Sequence, residues 1–211
     1  MTSPRRALVV IDVQQEYFTG PLQIQHPSPE DALVNVVRAI DAARAHDVPV
    51  VVVQHALPAG APIFAAGSPG FDLHPAVAAV VEPGDKRISK SFGSVFAGTD
   101  LANWLRGREV DTVSIVGFMT NNCDLASAVE AEGLGFAAEV LSDASGAIDL
   151  DNEAGHVPAS VVHTTLMVLL QSNFAAVATT SAWISAVSNA EPLPRGNLIE
   201  SAVRGRARVG G

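Results

Sequence analysis

The sequence predicts an α/β fold built around a parallel sheet. Short runs rich in Val, Ile and Leu alternate with longer amphipathic segments, the pattern of repeated β-α units. The chain has 211 residues, 48% of them hydrophobic, enough to bury a sizeable core in one domain without metals or disulfides. Helix start and stop residues fall between the apolar runs, as such units require.

Strands are expected at residues 7–11, 49–54, 87–89, 112–116, 137–141 and 175–179. The first helix covers 29–46, with Ser28 as N-cap, Pro29 in the first turn, and Leu33, Val36, Val37 and Ile40 on one face. Shorter helices follow at 99–106, which holds Trp104, and at 123–132, closed by Gly133. Two more cover 157–171 and 182–189. Residues 58–70, dense in Gly and Pro, form a long loop after the second strand, a lid or pocket wall or a plain surface excursion. The domain fills 1–211, with about 190–211 a peripheral tail whose basic, glycine-rich end, 204–211, reads as frayed and without function. No internal repeat is present.

Acidic residues outnumber basic ones, 22 to 13, for a net charge of −9. That balance opposes nucleic acid and anionic membrane as partners and suits neutral or cationic small molecules. The single cysteine excludes an intrachain disulfide framework. No apolar run approaches the roughly 20 residues that span a bilayer, and the first strand is too brief for a secretory signal. A cytoplasmic, reducing location is the expectation.

The lone cysteine, Cys123, lies in Gly117-Phe118-Met119-Thr120-Asn121-Asn122-Cys123, between a strand pattern and a helical one. Helix N-terminal N–H groups there are expected to lower its pKa and to bind an oxyanion. Asp12 ends the first strand and Lys90 follows the third, so an acid and a base reach the carboxyl edge of the sheet, where ligands of such folds bind. Thiol hydrolysis of an amide needs a thiolate, a proton carrier and oxyanion donors. Cys123, Asp12 and the backbone at the start of the third helix could supply them, with Lys90 favouring the thiolate. Singly, each residue has a plainer reading: a buried small apolar residue, a turn former, a solvated surface charge.

Four segments together resemble the isochorismatase-like cysteine hydrolases. They are Asp12-Val13-Gln14-Gln15-Glu16-Tyr17-Phe18, then Ile88-Ser89-Lys90 with Phe96-Ala97-Gly98-Thr99-Asp100-Leu101, the Gly117–Cys123 turn, and Val140-Leu141-Ser142-Asp143-Ala144. The resemblance implies a three-layer, Rossmann-like fold: a six-stranded, mainly parallel sheet with helices on both faces. It implies an Asp12, Lys90, Cys123 catalytic triad, a cis peptide between Phe118 and Met119, and Met119 and Cys123 N–H groups as oxyanion donors. It also implies amide hydrolysis through a thioester on a small molecule; relatives act on carbamoyl compounds, nicotinamide-like amides, maleamate-like acids and cyclic lactams. Self-association as a dimer or tetramer is expected from alanine-rich helices and from the same resemblance. Vinyl-ether hydrolysis, which in the family needs no cysteine, and a noncatalytic scaffold are the other readings.

Departures from the family pattern bear on substrate. Gln15 stands where Asn is common, and Glu16-Tyr17 replaces Asp-Phe, placing a phenol near the pocket. Tyr17, His55, Phe64, Phe96 and Asn122 are the candidate substrate-binding residues. Nicotinamidases carry an Asp-x-His…His metal set after the second strand; here His55 lacks that Asp and His74 lies beyond the long loop. Three or four converging ligands are needed, so no metal and no other cofactor is expected, and His55 reads as a pocket wall or a hydrogen-bonded strand-end residue. His163 reads as a satisfied, half-buried histidine, and Trp104, Trp183 and Phe174 as core or interface residues.

Overall fold

The computed structural model describes residues 3–209. Six strands form one sheet: β1 (Arg6–Ile11), β2 (Val50–His55), β3 (Lys86–Lys90), β4 (Thr112–Phe118), β5 (Ala137–Gly146) and β8 (Ala175–Ala178). Their order is β3-β2-β1-β4-β5-β8, and every neighbouring pair is parallel. The order reverses between β1 and β4, the place beyond whose carboxyl ends open α/β sheets bind their ligands. β1 and β4 are buried along their whole length, as a sheet covered on both faces requires.

Alternation along the strands divides the core. Leu8, Val10 and Val52 pack with α2 (Pro29–Ala45), α3 (Pro75–Val80) and α7 (Thr180–Ser188) on one face. Ala7, Val9, Ile11, Val51 and Val53 pack with α4 (Leu101–Arg106), α5 (Leu125–Gly133) and α6 (Ala159–Leu169) on the other. α2 starts as the sequence predicts: Pro29 opens it and Ser28 Oγ accepts from the Asp31 N–H. Thr179, expected in the last strand, instead caps α7 by accepting from the Ala182 N–H at 3.2 Å. Trp183 is wholly buried, and its indole N–H reaches Ser114 Oγ at 2.9 Å and Glu139 Oε2 at 3.1 Å. Arg6 and Glu139 complete this buried network as an ion pair of 2.8 Å.

Several elements differ from expectation. The helix expected from residue 123 begins as a π-helical turn, Thr120–Asp124, and becomes α-helical only at Leu125. Helix α1 (Glu16–Thr19), helix α3 and the hairpin of β6 (Leu150–Asn152) with β7 (Gly155–Val157) are too short to show periodicity. The tail is not frayed: Leu198–Val209 form helix α8, while Gly210 and Gly211 lie outside the described residues. Two arginines in its last turn offset its glycine and favour the helix dipole.

The 58–70 loop is pinned at its middle, where Phe64 and Ala65 are buried, while Pro58, Ala59 and Gly60 are exposed. Leu57 pairs with Ala65, Glu16 Oε2 accepts from the Phe64 N–H at 3.3 Å, and Gln14 Nε2 and Gln54 Nε2 both donate to the Phe71 carbonyl.

Candidate active site

Asp12 closes β1 with a left-handed backbone, φ 51°, a conformation Asp tolerates better than most residues. Beside it Gly117 has φ 116°, and a Cβ there would lie 2.0 Å from the Ile11 carbonyl oxygen, so only glycine lets β4 approach β1 this closely. The chain then passes through a cis Phe118–Met119 peptide into the π turn that carries Cys123. Lys90, at the end of edge strand β3, stands in register with His55 of β2.

These elements bring Asp12, Lys90 and Cys123 into one buried cluster. Lys90 Nζ lies 2.6 Å from Asp12 Oδ2 and donates to Cys123 Sγ at 3.2 Å; the Asp12 and Lys90 side chains are 0% exposed, as is Cys123. The ammonium also lies 3.1 Å from His55 Nδ1 and 3.2 Å from the Phe92 carbonyl oxygen. It has four acceptors for three protons.

The charges follow from burial. Desolvation raises the Asp12 pKa despite the pull of Lys90. Burial disfavours the Lys90 charge, but Asp12 and Cys123 outweigh it and hold the ammonium above its ordinary value. Burial and then the Asp12 charge push the Cys123 thiol up. This reverses the expected lowering: the sulfur sits inside a π turn, deep in the core, and desolvation exceeds what helix N–H groups and Lys90 return. Burial and the Asp12 charge both favour the thiol over the thiolate. Burial and Lys90 bring His55 down to about 4, so its ring is neutral and accepts from Lys90.

Three of the expected binding residues stand together. The Phe64 ring lies 5.3 Å from Tyr17 and 5.1 Å from His55, and Tyr17 lies 5.6 Å from Phe118. Burial keeps the Tyr17 phenol protonated. Of the two readings of His55, the hydrogen-bonded strand-end residue is the one seen: it ends β2 and bonds the cluster's cation. Gln14 fixes it by accepting from the His55 N–H at 2.8 Å and donating to its carbonyl at 3.0 Å. Phe96 instead stacks parallel on Phe136 at 5.9 Å in the hydrophobic core, and Asn122 is exposed, its carboxamide oxygen over Gly93. Among the described residues the Met119 N–H has no backbone acceptor.

Asp124 escaped the sequence reading. It is fully buried, its oxygens lack partners among the described residues, and burial holds it well above the usual carboxylate range. An acid at a helix start ordinarily reads as a solvated dipole partner, so no local signal marked it.

A metal fits poorly. Asp12, His55 and Cys123 offer ligand atoms within 4.8 Å of one another, but the Lys90 ammonium contacts all three and occupies the cation's place. His74 caps α3 by accepting from the Ala76 N–H at 3.2 Å, so it does not join His55.

The sequence matches the isochorismatase domain over residues 6–182. A crystal structure of a candidate isochorismatase from Burkholderia xenovorans LB400 superposes with a TM-score of 0.96 at 49% identity, covering 100% of both chains. The isochorismatase-family protein YddQ of Bacillus subtilis is 31% identical over 84% of this chain and 98% of its own. The nicotinamidase/pyrazinamidase of Mycobacterium tuberculosis is 31% identical over 69% of this chain and 89% of its own.

Proposed function

The chain belongs to the isochorismatase family of hydrolases, and from that premise we propose that it is a cysteine amidohydrolase acting on a small-molecule amide. The observation that carries the reading is the buried contact of Lys90 Nζ with both Asp12 Oδ2 and Cys123 Sγ.

A thiol of raised pKa attacks only if its proton leaves as the C–S bond forms. Asp12, its own pKa raised by burial, is matched to take that proton. The Met119 and Cys123 N–H groups then receive the oxyanion of the tetrahedral adduct. Collapse breaks the C–N bond, and Asp12 returns the proton to the departing ammonia or amine. Water attacks the thioester with Asp12 again accepting a proton, the carboxylic acid leaves, and sulfur recovers its proton. Lys90 stays charged throughout and holds the carboxylate and sulfur in place. Tyr17, His55 and Phe64 form the wall nearest this chemistry, and the neutral phenol suits a polar substituent on the substrate.

The test is a panel of small amides assayed for ammonia or amine release, with Cys123→Ala as the blank, alongside intact-mass detection of an acyl adduct. An adduct of unchanged yield in Cys123→Ala would remove the sulfur from the mechanism.

A further inference from the structure

Glu16 stands in the first turn of α1, next to Tyr17, with only 4% of its surface exposed. Its Oε2 accepts from the Phe64 N–H at 3.3 Å, while Oε1 is buried and has no partner. Among the described residues no cation pairs with it. A carboxyl group taken out of water for a single hydrogen bond weakens the fold. Its presence in the core therefore points to a task other than stability.

The backbone leaves space for this group. A Cβ on Gly70 would stand 2.5 Å from Oε2, and one on Gly20 would press on Oε1, so a side chain at either position would push the carboxyl aside. What the carboxyl holds is Phe64, whose φ of 48° is a left-handed conformation that Phe rarely adopts. From the other side, the Leu57 N–H donates to the Phe64 carbonyl at 3.0 Å. Both polar backbone atoms of Phe64 are thus fixed, and its ring is turned onto Tyr17 and His55. His55 in turn bonds Lys90, so a continuous line of contacts runs from Glu16 through Phe64 to the buried cluster.

We propose that Glu16 is a positioning residue for substrate selection. It holds the Phe64 ring against Tyr17 and His55, and so decides which groups fit beside Cys123. What the wall selects rests on the amidohydrolase reading, whereas the holding of Phe64 does not.

Three variants separate acceptor, reach and volume. Glu16→Met fills the space without an acceptor, Glu16→Gln keeps an oxygen at full reach, and Glu16→Asp keeps its oxygens one carbon short. Two measurements on the full chain need no amide to be cleaved. Hydrogen exchange over residues 58–66, followed by mass spectrometry, reports on the Phe64 N–H. Labelling of Cys123 with iodoacetamide and with N-phenyliodoacetamide, each relative to a free peptide thiol, reports on the wall. The wild type is expected to favour the ring-bearing reagent. Glu16→Met and Glu16→Asp are expected to lose about tenfold of that preference, or all of it, and to exchange faster over 58–66. Glu16→Gln is expected to recover both. Urea melts should find Glu16→Met no less stable than the wild type, an outcome that a purely structural role would not give. A wild type without ring preference, a Glu16→Met protein with unchanged preference and exchange, or one that loses stability in step with the preference overturns the proposal. If Glu16→Met fails to fold, the contrast between Glu16→Gln and Glu16→Asp decides. Failure of every amide in the panel, with these results intact, would remove the amidohydrolase reading and leave the positioning role standing.

Discussion

His55 Nδ1 lies 3.1 Å from Lys90 Nζ across the parallel β2–β3 pair, and this contact makes a neutral imidazole a fixed acceptor for the site's cation. Burial, then Lys90, lower the His55 pKa to about 4. The folded protein thus prefers the unprotonated ring, so the stability this preference contributes is complete above the ordinary value of 6.5 and is lost as pH falls through about 4. His74 and His163, also lowered by burial, act with the same sign; Asp12, raised by burial, acts with the opposite sign. The difference between wild type and His55→Gln isolates the His55 share. Thermal melts between about pH 7 and about pH 4 should show the wild type losing more stability than the variant; parallel losses would mean that His55 protonates freely.

The buried thiol should be slow to react. Iodoacetamide labelling of Cys123 near neutral pH is expected to lag behind a free peptide thiol, because burial and Asp12 both oppose thiolate. Labelling as fast as the free thiol would show that sulfur is ionised and accessible in the resting protein.

As the proposed proton carrier, Asp12 has two separable effects. Asp12→Asn should lower kcat by about 10²–10⁴-fold and also destabilise the fold, since it leaves the Lys90 ammonium buried without its carboxylate. Adding Lys90→Met should recover stability in urea melts but not turnover. Recovery of both would place the proton carrier elsewhere.

At the opposite end of the sheet, the Arg6–Glu139 pair is buried to 3% and 5% side-chain exposure, and Glu139 also accepts from Trp183 and Ser114. Glu139→Ala should cost about 3–5 kcal/mol in unfolding free energy by stranding the guanidinium, with kcat of the folded fraction unchanged. Equilibrium urea denaturation gives the first quantity, and a loss below about 1 kcal/mol would mean that water reaches the pair.

Gly117→Ala should damage the fold and the site together. Its Cβ would meet Ile11 backbone at 2.0 Å, and φ 116° disfavours any side chain. The expected result is a melting temperature lowered by the equivalent of about 1–3 kcal/mol or more, with reduced turnover because Ile11 precedes Asp12.

The sequence by itself determined the six strands, the capped start of α2, and the placing of Asp12 and Lys90 at strand ends and of Cys123 in the turn after β4, because apolar runs, caps and turns are local signals. Tertiary structure decided what those residues became. Cys123 is a high-pKa thiol because desolvation depends on the core that closes over it. His55 joins Lys90 because β2 pairs with β3 in one register, and Phe96 leaves the site because Phe136, far along the chain, stacks on it. Burial and partnership are properties of the folded whole, so residue type and spacing located the chemistry but left its protonation state and its neighbours to the packing.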